Sequence, residues 1–81
     1  MFSEKTERII EFVRESENPV TKREIMNGTE LQLGSIDSIL LRLFKKKILL
    51  REYKLNNHMI EIYYYSYNKK YKIEKMRSIK L

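Results

Sequence analysis

Between residues 36 and 65 the apolar side chains change their period, and this restricts the fold more than any other feature of the chain. Ile36, Ile39, Leu40, Leu43 and Phe44 recur at i, i+3, i+4, i+7 and i+8, the stripe of one buried helix face. From Ile48 the spacing becomes two. Residues 48–55 and 59–65 both favour strand, with β-branched and aromatic residues prominent in the second. Asn56-Asn57-His58 lies between them, and asparagine tolerates positive φ, so Asn56-Asn57 suits a tight hairpin turn. A helix running straight into a hairpin makes the chain α+β.

Upstream, the spacing predicts two more helices. Residues 4–16 carry Thr6, Ile9, Ile10 and Val13 at helical spacing, with Ser3 as cap and acidic residues in the first turn. Asn18-Pro19 stops that helix, because the residue before proline is pushed out of the α region. A short helix over 21–27 opens with the capping box Thr21-Lys22-Arg23-Glu24 and buries Ile25 and Met26. Asn27-Gly28 ends it, with Gly28 placed for a left-handed C′ residue. The third helix, 33–46, is capped by Gln32 or by Ser35. Its polar face carries Ser35, Asp37, Ser38, Arg42, Lys45 and Lys46. After the hairpin of 48–66, a lysine-rich tail with Tyr67, Tyr71, Met76 and Ile79 reads as a C-terminal helix over 68–80. The class is α+β, mostly helical.

With 81 residues the chain is expected to be a single domain, 1–81. A domain of this size buries only about 60% of its unfolded surface. Without cysteine it has no disulfide to support it, so a homodimer is expected. The absence of cysteine also fits a reducing compartment. No segment approaches the ~20 apolar residues that span a bilayer. The opening Met-Phe-Ser-Glu-Lys has no basic region followed by an apolar core. A cytoplasmic, nucleoid-associated protein with no membrane partner is therefore expected.

Charge is unevenly distributed. Residues 1–34 hold five Lys/Arg against seven Asp/Glu, whereas residues 35–81 hold twelve against four, for a net charge of +6. A basic half on a slightly acidic scaffold points to a polyanion on one side. Catalysis has little to build on: there is no nucleophile–base pairing, no glycine-rich phosphate loop and no paired-carboxylate motif. His58 is the sole histidine and sits in a turn without clustered carboxylates, so neither metal nor cofactor is expected.

The element order resembles the winged helix-turn-helix superfamily, particularly small MarR-, PadR- and ArsR-like regulators of archaeal or archaeal-virus type. Pro19 to Met26 is similar to their second helix, and Ser35 to Leu49 to their recognition helix running into the first wing strand. Tyr63 to Asn68 resembles the end of their wing. The resemblance covers roughly residues 4–68 and departs at two places. Lys47 stands where such proteins usually have glycine, and the wing turn is short with no arginine at its tip.

The resemblance implies a three-helix core, a two-stranded wing and duplex DNA as partner. A major groove admits one α-helix, whose N-terminal residues meet base edges. Ser35, Asp37, Ser38 and Arg42 are then the candidate base contacts. Asp37 has a second reading, as a charge favourable to the helix N-terminal dipole. Thr21, Lys22, Arg23, Lys45 and Lys46 are candidate backbone contacts, as are the wing residues Lys54, Asn56, Asn57 and His58. The first and C-terminal helices would build the dimer, with Phe2, Tyr67, Tyr71, Met76 and Ile79 at the interface. The six tyrosines fit core and interface better than a base-stacking platform. The resulting expectation is a sequence-specific, homodimeric transcription regulator. A protein-docking module and a sequence-independent architectural DNA binder are the alternatives.

Overall fold

A computed structural model of the chain describes residues 2–55 and 57–71. Ser3 opens α1 (Glu4–Glu15): its Oγ accepts the Thr6 N–H at 3.3 Å, and Glu4 and Glu7 set negative charge against the free amides of the first turn. Thr6, Ile9 and Val13 form the buried side of this helix. Ser16 ends it, one residue earlier than the periodicity suggests, and donates its hydroxyl back to the Phe12 carbonyl at 2.8 Å.

Val20–Thr21 then forms β1, a strand the sequence pattern does not show, because two residues carry no readable period. Thr21 is extended since it is also the N-cap of α2 (Lys22–Thr29), and an N-cap residue takes β-region angles. The capping box is complete. Thr21 Oγ1 accepts the Glu24 N–H at 3.2 Å, and Glu24 Oε1 accepts the Thr21 N–H at 2.9 Å.

The end of α2 corrects the sequence reading. Gly28 lies inside the helix, and Glu30 takes the left-handed cap with φ 60°. The two further residues bring Thr29 into the core, where its hydroxyl donates to the Ile25 carbonyl at 2.7 Å. Glycine at 28 has a packing reason: a Cβ there would overlap the Phe12 ring of α1.

After a turn, α3 (Leu33–Lys45) starts from Gln32, which makes no side-chain cap bond. Ile36, Ile39, Leu40 and Leu43 are buried along it as the stripe predicts, and Phe44 is half-buried. The helix ends in a Schellman motif built without glycine. Ile48 N–H donates to the Leu43 carbonyl and Lys47 N–H to the Phe44 carbonyl, each at 3.0 Å, with Lys47 left-handed at φ 63°. The left-handed turn is therefore made, but by a lysine. Asn68 clips it from the other end of the hairpin, where its Nδ2 donates to the Lys47 carbonyl at 2.7 Å. A side chain with Cβ pays about 1–2 kcal/mol in that conformation, partly offset by the entropy glycine brings to the unfolded chain. Lys47→Gly is accordingly expected to raise stability by roughly 0.5–1 kcal/mol, read as a thermal midpoint a few degrees higher.

β2 (Leu49–Leu55) and β3 (Glu61–Tyr67) pair antiparallel from Leu49↔Tyr67 to Leu55↔Glu61. β1 joins the free side of β3 through Val20↔Tyr65 and Thr21↔Tyr64, so the sheet has three strands in the order β1-β3-β2, not the expected two. β2 ends at Leu55 and β3 begins at Glu61, a wider separation than the tight Asn56-Asn57 turn expected. β3 starts at Glu61 rather than Met59, which is left-handed at φ 62°.

Ile9 and Val13 of α1, Ile25 of α2 and the α3 stripe meet Val20, Ile48, Leu49 and Tyr65 in one buried cluster. Asn68 Oδ1 accepts the Lys70 N–H at 3.1 Å, and residues 69–71 begin a helix where the tail pattern places one. The remainder of the expected 68–80 helix, with Met76 and Ile79, lies outside the described residues. Three helices with α2-turn-α3 at their centre, followed by a hairpin, make an α+β winged helix-turn-helix fold.

Candidate nucleic-acid interface

At 100° per residue, burial of Ile36, Ile39, Leu40 and Leu43 turns the opposite side of α3 to solvent. Gly34, Ser38, Leu41 and Lys45 run down the middle of that side, all exposed. Arg42 is exposed on one flank and Asp37 on the other, while Ser35 is half-buried at the edge. Among the sequence candidates, Ser38 and Lys45 thus occupy the centre and Ser35 the margin. Leu41, 45% exposed, takes a central place the candidates did not include. Ser38 Oγ donates to the Ser35 carbonyl at 3.2 Å, which leaves its lone pairs as the outward-facing chemistry.

Two expected DNA contacts are paired with each other. Lys22 Nζ, in the first turn of α2, forms an ion pair with Asp37 Oδ1 of α3. The pair joins both halves of the helix-turn-helix and balances a cation against the carboxylate considered above for base readout. Thr21 Oγ1 is likewise occupied by the capping box, and Glu24 adds a carboxylate at the same helix start. Arg23, exposed and without an ion pair to any described residue, is the cation left at the α2 N-terminus.

Lys46 departs from the α3 face. Its ammonium lies over the Phe2 ring, 5.4 Å from the centroid, on the α1 side of the molecule. Phe2 itself packs against the core with Tyr67 and Tyr71, and the three line a shallow pocket with Ile10 and Ile48. The expected dimer residues that are described therefore converge on one side.

On the wing, strand alternation separates two rows. Lys54 lies in the Glu52 row, bridging to Glu52 Oε2 at 3.7 Å and sitting 4.7 Å from the Tyr64 ring centroid. Asn57 and His58 are exposed in the turn, and Asn56 lies outside the described residues. The tip is more apolar than its asparagines suggest: Leu55 and Ile60 are more than half exposed and Met59 is 75% exposed. Between this tip and the start of α2 runs an open groove of ≈ 810 Å³, lined among others by Arg23, Met26, Leu33, Tyr53, Ile60 and Tyr63.

The other row holds a residue that sequence reasoning passed over. Arg51 alternates with Leu49 and Tyr53, and its guanidinium carbon lies 4.1 Å from the Phe44 ring centroid and 4.2 Å from that of Tyr63. Tyr63 in turn stacks on Tyr53 across the hairpin, centroids 4.7 Å apart. The available signal was an arginine in the core-facing register of an amphipathic strand, where a water-seeking cation needs a reason. Among the described residues, no group of His, Cys, Asp and Glu could hold a metal ion, and no helix is long and apolar enough to cross a membrane.

No family model matches the chain, and no curated protein matches it either. Its fold is similar to a possible transcriptional regulator from Methanosarcina mazei Go1, at TM-score 0.76 and 15% identity, over 91% of this chain and 62% of that one. It is also similar to a protein of unknown function from Listeria innocua Clip11262, at TM-score 0.68 and 20% identity, over 93% of this chain and 49% of that one. The chain thus spans about half to three-fifths of the length of these two structures. At such identities the likeness supports the winged-helix fold alone.

Proposed function

We propose that the chain is a DNA-binding transcription regulator, a single domain that acts as a homodimer with α3 in the major groove and the wing against the sugar-phosphate backbone. The observation that carries this reading is the outward face of α3. Gly34, Ser38, Leu41 and Lys45, with Arg42 beside them, are spared from packing and stand next to a wing, and all but Gly34 belong to the basic half of the chain. The similarity of fold to a possible transcriptional regulator supports it. So does the resemblance to MarR-, PadR- and ArsR-like proteins.

In this reading Ser38 and Arg42 read bases, with Ser35 at the margin, and Asp37 acts through Lys22. Arg23 and Lys45 hold phosphates, while Lys54, Asn57 and His58 approach the backbone from the wing. Phe2, Tyr67 and Tyr71 form the described part of the dimer face. The protein works in the cytoplasm on the nucleoid, without cofactor or catalysis.

Selection of bound sequences from a random duplex pool tests the proposal. The expected product is a pseudo-palindrome with half-sites about one turn, ~34 Å, apart. Failure to retard any duplex at low salt would sink DNA binding, and equal retention of all duplexes would mark an architectural binder. The exposed Leu55, Met59 and Ile60 favour a second reading, a protein-docking module, which predicts indifference to DNA.

Asp37 also makes a prediction. Its carboxylate neutralises Lys22 and repels an approaching phosphate. Asp37→Asn is expected to strengthen binding to mixed-sequence duplex several-fold and to steepen the salt slope by about 0.9 per protomer, one further phosphate for each. With both partners about half exposed, the pair contributes less than ~1 kcal/mol, so the thermal midpoint should move little.

A further inference from the structure

We propose that Arg51 is a preformed phosphate clamp seated between α3 and the wing. The proposal rests on the DNA-binding reading and adds a site to it. The guanidinium carbon lies over two rings, that of Phe44 of α3 and that of Tyr63 of β3, 4.1 and 4.2 Å from their centroids. Such ring contacts leave N–H donors of the fork open to a further ligand. A guanidinium carries five N–H donors in its own plane, and aromatic stacking uses none of them.

Among the described residues no carboxylate lies within ion-pairing distance of Arg51, and no hydrogen bond from its fork is formed. By contrast Arg8 is paired with Glu4, Arg14 with Glu11, Lys22 with Asp37 and Lys54 with Glu52. Arg51 is the one half-buried arginine among the described residues, and it is left without a counter-charge. A held cation with an idle planar fork fits an oxyanion with two oxygens in one plane, which a phosphodiester supplies.

The position suits that ligand. Leu33, Asp37 and Phe44 share one flank of α3, and Leu33 lines the groove towards the wing, so Phe44 lies further along the side of the helix that faces the wing. A duplex whose major groove receives α3 and whose backbone meets the wing carries a phosphate strand across this boundary. Because the two rings hold the side chain before contact, little rotamer freedom is lost on binding. Such a contact is blind to sequence: it sets register and affinity, not base preference.

The test measures duplex affinity of the full chain against salt for wild type, Arg51→Met and Arg51→Gln, at temperatures where circular dichroism shows each folded. Methionine keeps an apolar stem between the rings. Glutamine keeps a planar group that can stack there, so at least one variant should retain the native wing. Arg14→Gln, which removes a cation from α1, is the control. The expected result is a loss of about tenfold in affinity per protomer to every duplex, with a salt slope flatter by about 0.9 for each protomer bound, in both Arg51 variants and not in the control. A purely structural role would lower the thermal midpoint and leave that slope at the wild-type value, and this outcome overturns the clamp alone. Wild-type protein that binds no duplex overturns the DNA reading and the clamp with it.

Discussion

Leu43→Ala is expected to cost about 3 kcal/mol or more, the middle of the range for emptying a buried leucine site. Leu43 is fully buried, and it serves two structures at once. Its side chain sits in the cluster where α3 meets α1, α2 and the sheet, and its carbonyl receives the Ile48 N–H that closes the helix. Ile48 is also fully buried, so it supplies the apolar partner that a Schellman motif characteristically has at this spacing. Truncation at 43 therefore opens a cavity at the point that aims the helix into the wing.

A domain of 81 residues has total stability of only roughly 4–12 kcal/mol. The same loss corresponds to a thermal midpoint lower by roughly 12–24 °C. Thermal denaturation followed by circular dichroism measures it, with Leu41→Ala as the comparison. Leu41 is the same residue type half a turn away, 45% exposed, and its loss should stay within about 0.5 kcal/mol. Equal losses at the two positions would mean that the inward and outward sides of α3 are wrongly assigned.

The inward and outward sides of α3 were legible in the sequence because helix and strand periods are local and strong. The stripe from Ile36 to Phe44 and the alternation after Ile48 each repeat often enough to outvote any single residue. Caps written in side-chain chemistry were legible too: Ser3 and the Thr21–Glu24 box bond as their types predict. What escaped depends on partners distant in sequence. β1 exists because β3 arrives beside Val20 some forty residues later, and nothing in two residues announces that. Gly28 looks like a helix terminator until the Phe12 ring is seen against it, and Lys47 shows that tertiary clips such as Asn68 can hold a left-handed residue without glycine.

The same limit applies at the candidate interface. A sequence shows which residues are charged but not which charges are already spent. Lys22 and Asp37 lie fifteen positions apart and cancel, whereas Arg51 gathers two rings from different elements and has no carboxylate partner among the described residues. Lys45 and Lys46 are neighbours of identical chemistry, yet one faces outward and the other covers Phe2.

That divergence sets the last prediction, which concerns affinity. If the homodimer engages six or more phosphates, binding should fall by about 10³-fold or more between roughly 50 and 200 mM salt. Arg42→Ala with Lys45→Ala removes two charge-assisted contacts from each protomer, each about 1.5 kcal/mol, and should weaken binding at fixed salt on the order of 10²-fold per protomer. Lys46→Ala carries the same change in formal charge per residue as Lys45→Ala but takes it from the Phe2 side, so its effect should be several-fold smaller. The salt slope then separates the roles of the first two. Loss of about 1.8 in slope per protomer means that both meet phosphates; loss of about 0.9 per protomer means that Lys45 holds the backbone while Arg42 reads a base. In the second case Arg42→Ala alone should relax preference at one operator position by about 1–3 kcal/mol and leave the others unchanged. Equal losses from Lys45→Ala and Lys46→Ala would reject α3's outward face as the contact surface.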